Sequence, residues 1–208
     1  MATTTNSTNN NRYFILNKPY NMVSQFISTD NVPLLNEIDF AFPEGTHAIG
    51  RLDINSEGLL LLTTNKKITR LLFQDSKPHE RVYLVMVRNI VSKERLQQIR
   101  SGVSIRIGKD TYYTTPVCDV SIVNNIADYI NFGYVPKEYV PYTWLRIPLA
   151  EGKFRQVRKM VAAIHHTCIR LVRYSIEDLI LYDLQPGKVR EIGETEFFDK
   201  LKLDKNKM

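Results

Sequence analysis

One aspartate in the chain has neighbours that could prepare it for chemistry. Asp53 lies in residues 47–63, HAIGRLDINSEGLLLLT, with Gly50 before it, Gly58 after it and an apolar run on each side. This pattern predicts a short loop between two buried segments. Binding and catalytic groups concentrate on loops that a rigid scaffold positions. We therefore expect Asp53 to act as a nucleophile or a base.

Two other interpretations of Asp53 have to be compared with this one. With Asn55, Glu57 and Gly58 it partly resembles a calcium-binding loop. The twelfth position of such a loop must be a bidentate glutamate, and here it is Thr64, so the calcium interpretation fails. The second interpretation is that Asp53 only stabilises a turn through its backbone neighbours, as aspartates in such sequences commonly do.

A basic helix supplies a candidate partner for Asp53. The helix is predicted over residues 153–166, and its apolar stripe consists of Val157, Met160, Val161 and Ile164. Arg158 falls at the margin of this stripe, where a half-buried guanidinium requires a carboxylate partner. We expect Arg158 to pair with Asp53 and to favour its ionised form. The alternative is that the Arg158 stem only covers apolar surface.

Basic residues concentrate in one part of the chain. Between Trp144 and Tyr174 seven basic residues and one acid give +6, whereas the rest of the chain carries 21 basic and 21 acidic residues. A concentrated basic segment is typical of proteins that bind nucleic acid. A solvated basic face without a partner is the alternative. The basic residues are Arg146, Lys153, Arg155, Arg158, Lys159, Arg170 and Arg173.

Composition predicts a single globular domain. The 208 residues are 43% hydrophobic and 24% charged, and no apolar run approaches the roughly 18 residues of a membrane helix. Residues 1–11 are a polar Thr/Asn tract that we expect to be disordered, which leaves one domain at residues 12–208. With one domain we expect a monomer.

Cysteine and histidine usage argues against a metal site. Cys118 and Cys168 lack a CxxC spacing, so we expect reduced thiols in a cytoplasmic protein. His165 and His166 have no third ligand at a suitable spacing. The sequence also contains no cofactor-binding motif, and we expect neither a metal nor a cofactor.

Apolar runs predict the strands. They are expected at residues 12–18 and Tyr142–Leu149, with shorter strands within residues 103–123. The segment 81–87, RVYLVMV, is apolar on both faces, which predicts a central strand. Tyr83 would then lie in the interior.

Two helices beside the basic one complete the predicted elements. One is expected at residues 65–73 with Asn65 as its N-cap, and another runs from Ser92 to about Ser101. Residues 124–142 are expected to form a loop. Strands with interspersed helices, without a regular βαβ repeat, predict an α+β fold with a mixed, mostly antiparallel sheet flanked by helices and loops.

Two of these segments resemble motifs of one protein family. The segment around Asp53 is similar to the aspartate motif GRLDxxSEGLLLLT of the ribosomal-type pseudouridine synthases. EGKFRQVRKM is similar to the family motif EGRNRQVRRM. The resemblance implies that Asp53 is the catalytic aspartate and that Arg158 lies beside it.

Two further segments extend the resemblance. RVYLVMV is similar to the family strand KxYxVxV, which implies that Tyr83 stacks near the target base and takes the proton from C5. IRLVRYSIEDLILYDLQPGKVREI is similar to the closing motif, in which Leu171 would pack on the base and Arg170 would support the site. Arg51, Arg155 and Arg170 would supply positive charge to the RNA.

The similarity spans residues 12–192. Arg155 and Gln156 match the second motif and would contact the RNA or support the loop, whereas Lys153 and Phe154 depart from the usual Arg and Asn. The opening segment resembles the branch typified by large-subunit pseudouridine synthase E. That branch lacks the small N-terminal RNA-binding domain of its relatives, and we expect the same here.

The resemblance implies a function as well as the pseudouridine synthase fold. It implies isomerisation of a specific uridine in RNA, by the branch in large-subunit ribosomal RNA, without a cofactor. Asp53 would either attack C1′ or first remove the 2′ proton, and the sequence does not decide between these steps. A non-catalytic RNA-binding or ribosome-assembly module is the main alternative. An RNA hydrolase is weaker, because the four histidines supply no evident metal cluster or acid–base pair.

Overall fold

The computed structural model describes residues 11–74, 78–131 and 140–205, so nearly all of the expected disordered tail lies outside it. The strands within these residues are β1 (Tyr13–Lys18), β2 (His47–Ile49), β3 (Glu57–Thr63), β4 (Arg81–Arg88), β5 (Ser104–Arg106), β6 (Tyr112–Thr114), β7 (Ser121–Val123), β8 (Tyr142–Leu149), β9 (Cys168–Ile176), β10 (Leu179–Ile180) and β11 (Val189–Ile192). The α-helices are α1 (Ile68–Gln74), α2 (Lys93–Arg100), α3 (Gln156–Ala163) and α4 (Glu194–Lys200). Two short 3-10 helices occur at Leu35–Glu37 and Ile126–Asp128.

One large sheet organises the chain. Its strands follow the order β11-β1-β3-β9-β4-β8-β7, with β2 beside β3 and β10 beside β9, and β5 and β6 form a separate hairpin. Among the described strands only β3 and β9 pair in parallel, through Glu57 with Val172 and Gly58 with Arg173. The expected α+β fold with a mixed, mostly antiparallel sheet is therefore confirmed.

Apolar side chains cover both faces of the central strands. Along β3, Leu59 and Leu61 pack in one core cluster, and Leu60 and Leu62 pack in another on the opposite face, as the two-residue period of a strand requires. Strand β4 lies between β8 and β9, which confirms the prediction of a central strand. The prediction that Tyr83 lies in the interior was wrong, because Tyr83 is only half-buried.

The expected apolar stripe of the basic helix is confirmed, but its bounds differ. Val157, Met160, Val161 and Ile164 are all buried in one core cluster. Helix α3 begins only at Gln156, whereas residues 153–155 form a loop. The Gln156 side chain accepts a hydrogen bond from Lys153 N (2.9 Å), and Arg155 adopts the left-handed conformation (φ 52°).

The other helices vary in how well the sequence predicted them. Ser92 is the N-cap of α2, as expected, and accepts a hydrogen bond from Arg95 N at 3.3 Å. The Asn65 side chain accepts from Lys67 N in a turn that precedes α1, so the helix starts later than predicted. Helix α4 was not predicted. None of the helices in the described ranges is long and apolar enough to cross a membrane.

Candidate active site

A cleft of about 850 Å³ brings together side chains from the sheet and from two loops. Part of its lining comes from β4, through Arg81 and Tyr83, and from β9, through Leu171 and Arg173. We call these four residues the floor. Residues 50–53 with Ser56, and residues 149–157, line two further sides, and the remaining lining residues are Leu72, Phe73, Pro78 and His79. The volume falls within the range of roughly 300–1,000 Å³ that is usual for ligand sites.

The segment 50–58, hereafter the Asp53 loop, is fixed through its backbone. Ser24 Oγ donates to Leu52 O (3.1 Å) and accepts from Leu52 N (3.0 Å). Lys18 Nζ approaches Ile54 O at 3.5 Å, and Arg158 Nη2 donates to Asn55 O at 2.5 Å. Residues on both sides of Asp53 are therefore anchored by distant parts of the chain.

The carboxylate of Asp53 lies at the cleft and is not used in these anchors. Asp53 accepts through its backbone oxygen from Ser56 N at 2.9 Å, which closes a turn. Within the described residues its side chain makes no ion pair shorter than 4.0 Å. The turn interpretation thus holds for the backbone of Asp53, while its carboxylate remains available to a substrate.

The expected ion pair between Asp53 and Arg158 is not formed, because the guanidinium of Arg158 binds the loop backbone instead. Besides Asn55 O, Arg158 contacts Cys168 Sγ through Nη1 at 3.4 Å, and burial raises the pKa of the Cys168 thiol. The Nε atom of Arg158 is buried without a hydrogen bond among the described residues. Arg158 therefore lies behind the Asp53 loop rather than in the cleft lining.

Close backbone packing brings the exit of the Asp53 loop against the floor. Gly58 has a φ of 98°, and a Cβ built on it would lie 2.4 Å from Arg173 O. At the entrance, Gly50 has a φ of 71°, and its Cβ would lie 2.6 Å from the ring of Phe73. Gly58 is required by conformation and by space, because its neighbours are backbone atoms, whereas at Gly50 the positive φ is the main constraint and the exposed Phe73 ring can shift.

A buried ion pair lies beneath the same loop. Arg170 donates to both oxygens of Glu57, from Nε and Nη2, at 2.8 Å each. Arg170 and Glu57 are only 9% and 7% exposed, and neither belongs to the cleft lining. Arg170 therefore lies behind the cleft lining, paired with Glu57, and does not present its charge to the cleft.

The floor presents an aromatic ring, an apolar side chain and a buried cation. Tyr83 is half-buried and Leu171 is 5% exposed. Arg173 donates from Nε to Leu59 O at 2.7 Å, whereas its buried Nη2 has no partner among the described residues. Burial lowers the pKa of the Arg173 guanidinium, and the nearby Tyr83 acts in the opposite direction.

Lys18 is a fully buried cation next to the Asp53 loop. Its Nζ donates to Pro19 O (2.9 Å) and Met22 O (2.6 Å) in addition to the contact with Ile54 O. Burial lowers the pKa of Lys18 to about 8, although the carboxylates of Glu57 and Asp53 act against this shift. Lys18 therefore joins the first strand to the Asp53 loop.

Residues 151–155, the rim loop, form an exposed wall of the cleft. Glu151 accepts hydrogen bonds from Tyr113 Oη and from Gln156 Nε2, both at 2.5 Å. Gln156 is 3% exposed, and its side chain is hydrogen-bonded to Glu151 and to Lys153 N. Arg155 is exposed at the cleft. Its φ is positive, which is uncommon for a residue other than glycine.

The structure thus brings most of the expected site residues to one cleft. Arg158 and Arg170 are the two that it places behind the lining. The sequence did not lead us to assign four residues to the site that the structure connects with it. They are Lys18, Glu57, Arg81 and Arg173. The buried charges among them lie in apolar strands, and a charge at an otherwise apolar strand position was the signal that could have identified them.

Comparisons with known proteins identify the family of the chain. The family model for RNA pseudouridylate synthases matches residues 12–163. Ribosomal large subunit pseudouridine synthase E of Vibrio parahaemolyticus is 36% identical over 183 residues, which are 88% of this chain and 74% of that protein. Ribosomal small subunit pseudouridine synthase A of Escherichia coli is 30% identical over 186 residues, covering 89% and 72%.

A solved structure gives the same result at the level of the fold. A crystal structure of a pseudouridylate synthase has a TM-score of 0.72 and 26% identity, and covers 92% of this chain and 74% of that one. The matched sequence includes the Asp53 loop, β4 and α3. The chain belongs to the RNA pseudouridylate synthases, enzymes that isomerise uridine within RNA.

Proposed function

We propose that this enzyme converts a specific uridine of ribosomal RNA, in the large subunit, to pseudouridine with Asp53 as the catalytic carboxylate. Support for the substrate comes from the relatives, several of which carry the name ribosomal large subunit pseudouridine synthase E. Support for Asp53 comes from its position, since an available carboxylate lies at the cleft on a loop fixed through its backbone. This second observation carries the proposal.

The reaction needs no external reactant. The N1–C1′ bond breaks, the uracil rotates, C5 bonds to C1′, and the proton from C5 is lost while N1 gains one. A base stacked in RNA must first be flipped into a pocket, which costs a few kcal/mol. Asp53 would attack C1′ or remove the 2′ proton, and either step requires an ionised carboxylate.

The floor would bind the flipped uracil. Leu171 would pack on the base, and Tyr83 would stack near it and accept the proton from C5. Both side chains line the cleft with Asp53, which supports these roles. Arg51 and Arg155, which are exposed at the cleft, would contact phosphates.

Arg158, Arg170 and Gln156 would act as positioning residues. Arg158 binds the backbone next to Asp53, Arg170 binds Glu57, and Gln156 binds the rim loop. Arg158→Ala should therefore lower turnover far more than RNA affinity. A phosphate contact would instead mainly weaken binding and its dependence on salt, so the ratio of the two effects tests this role.

Carbodiimide mapping of pseudouridine in total RNA tests the main proposal. Cells that produce the wild-type protein, Asp53→Asn or no protein would be compared, with the exposed Asp199→Asn in α4 as a matched control. We expect one uridine of large-subunit ribosomal RNA to lose its modification in the null and in Asp53→Asn, but not in Asp199→Asn. Retained modification in Asp53→Asn would exclude Asp53 as the catalytic group.

The same mapping separates the remaining alternatives. A dependent site in transfer RNA or in the small subunit would contradict the large-subunit substrate, and no dependent site would favour the RNA-binding or assembly module. Sedimentation analysis tests the expected monomer, and cell fractionation tests the expected cytoplasmic location.

A further inference from the structure

An exposed phenylalanine occupies the tip of the rim loop. Phe154 is 73% exposed, yet it lines the same cleft as Asp53. A phenyl ring carries no hydrogen-bonding atom, so it can contribute only apolar area and its π faces. Covering such a ring in a complex is favourable, whereas its exposure in the free protein brings no stability.

Hydrogen bonds fix the backbone of the rim loop on both sides of this ring. Lys153 N donates to Gln156 Oε1, and Gln156 N donates to Lys153 O at 3.0 Å, so that Phe154 lies between two anchored residues. Glu151 further ties the loop to Tyr113 of the β5–β6 hairpin. A ligand that covers the ring therefore does not have to order a disordered loop, which lowers the entropic cost of binding.

The surroundings of the ring are cationic. Lys159 Nζ lies 5.3 Å from the ring centroid, and the neighbours Lys153 and Arg155 are exposed. The central parts of protein–protein interfaces are depleted of lysine. Sites for single-stranded nucleic acid, in contrast, combine aromatic rings that stack on bases with cations that follow the backbone. The charge pattern around Phe154 thus favours RNA over a protein partner.

We propose that Phe154 stacks on a nucleobase next to the uridine that enters the cleft. Flipping the uridine out of its stack uncovers one face of each neighbouring base. Phe154 covers one of these faces, while Lys153 and Arg155 contact the adjoining phosphates. This inference rests on the proposed function and adds a residue that contacts a base next to the target.

Binding to two synthetic RNAs tests the stack without any turnover. One is a single strand of about 12 nucleotides with one central uridine, a length that a single-strand binding groove can accommodate. The other is the same strand with abasic sites on both sides of the uridine. Phe154→Ala should weaken binding to the intact strand by roughly ten-fold, which is the order of one aromatic–base stack. The same substitution should not change binding to the abasic strand.

Matched variants separate stacking from charge and from apolar contact. Phe154→Tyr should retain the affinity and Phe154→Leu should not, because leucine has a similar apolar character without a π face. Arg155→Ala should weaken binding to both strands. Tyr182→Ala removes an aromatic ring that is 62% exposed outside the cleft lining and should leave both affinities unchanged.

A fluorescent reporter gives an independent measurement. The chain contains one tryptophan, Trp144, which is 6% exposed and supplies a constant background. Phe154→Trp should add emission that the intact RNA quenches and the abasic RNA does not. Equal affinity of wild type and Phe154→Ala for the intact strand, or an equal loss on both strands, would overturn the inference. Because Asp53→Asn should bind like wild type, a failure of the proposed catalytic role leaves this result interpretable.

Discussion

The Asp53 loop and the rim loop line the same cleft but are held in place by different means. Hydrogen bonds from Lys18, Ser24 and Arg158, which are distant in sequence, fix the backbone of the Asp53 loop. The rim loop is closed mainly by the adjacent Gln156, which bonds to Glu151 and Lys153, and is mostly exposed. The loop that carries Asp53 is therefore fixed by tertiary contacts, whereas the rim loop is closed mainly by local ones.

Two residues of this chain differ from the family motif that it resembles, and both belong to the second of these regions. Lys153 and Phe154 both lie in the rim loop, where a new side chain disturbs few contacts. A substitution in the Asp53 loop would instead disturb the sheet beneath it. The comparison therefore predicts large losses of stability for changes near the Asp53 loop and small ones for changes in the rim loop.

The largest effect on stability is expected for Gly58→Ala. Its Cβ would lie 2.4 Å from Arg173 O and 2.8 Å from Arg173 N, at a φ of 98°. The clash and the strained backbone together should lower the free energy of unfolding by about 4 kcal/mol. Gly187→Ala is the control, since Gly187 has a φ of 78° with nothing within 4 Å. Urea denaturation of both variants measures the difference, and equal losses would contradict close packing at Gly58.

The next largest loss of stability is expected for Glu57→Gln. Removal of the carboxylate leaves the buried Arg170 guanidinium without its bidentate partner. Breaking a buried pair of this kind should cost about 3 kcal/mol. Glu191→Gln breaks the exposed pair with Arg12 and should cost far less. Thermal and urea denaturation compare the two variants, and similar losses would show that burial of the Glu57 pair adds little.

A smaller, pH-dependent effect is expected for Lys18. Its pKa is about 8 in the folded protein and 10.5 as its ordinary value, so the unfolded chain binds more protons between these values. The free energy of unfolding should therefore rise with pH in this window, by about 2 kcal/mol from pH 7 to pH 10.

Lys18→Met supplies the reference for this measurement. The difference in unfolding free energy between wild type and Lys18→Met cancels the contribution of tyrosines that titrate near pH 10. The wild type should gain stability relative to the variant as the pH rises. A difference that does not change with pH would contradict the lowered pKa of Lys18.

The smallest effect is expected in the rim loop. Arg155 has a φ of 52°, a conformation that costs an arginine about 1 kcal/mol more than a glycine. Arg155→Gly removes this strain but increases the freedom of the unfolded chain, so stability should stay unchanged or rise by less than about 1 kcal/mol. RNA affinity should nevertheless fall, because the cation is lost. A clear loss of stability would contradict the assignment of Arg155 to binding rather than to structure.

The sequence predicted those features that depend on local patterns. A run that is apolar on both faces identified β4, and the helical period identified the stripe of α3. Both could be predicted because the residues of each segment determine which of its faces is buried. The glycines around Asp53 predicted its loop for the same reason. Helix α4 was missed, because its N-cap position is Gly193, which has no side chain that signals the start of a helix.

The features that were not predicted depend on contacts between distant segments. Arg158 was expected to bind a side chain, Asp53, and binds the backbone oxygen of Asn55 instead. The partnership of Arg170 with Glu57 spans 113 positions, and neither residue carries a local signal of it. A periodicity indicates which face of an element is buried but does not indicate which atom of a distant loop lies against it.

The parallel pairing of β3 with β9 has a consequence for how the enzyme acquires activity during synthesis. Glu57 and Gly58, at the end of the Asp53 loop, gain Val172 and Arg173 as neighbours only after more than half of the chain has been made. Such long sequence separations slow folding, because the entropic cost of closing the loop arises before the contacts stabilise the chain. We therefore expect nascent chains that end before residue 168 to be inactive, with the Asp53 loop maturing as one of the last parts of the molecule.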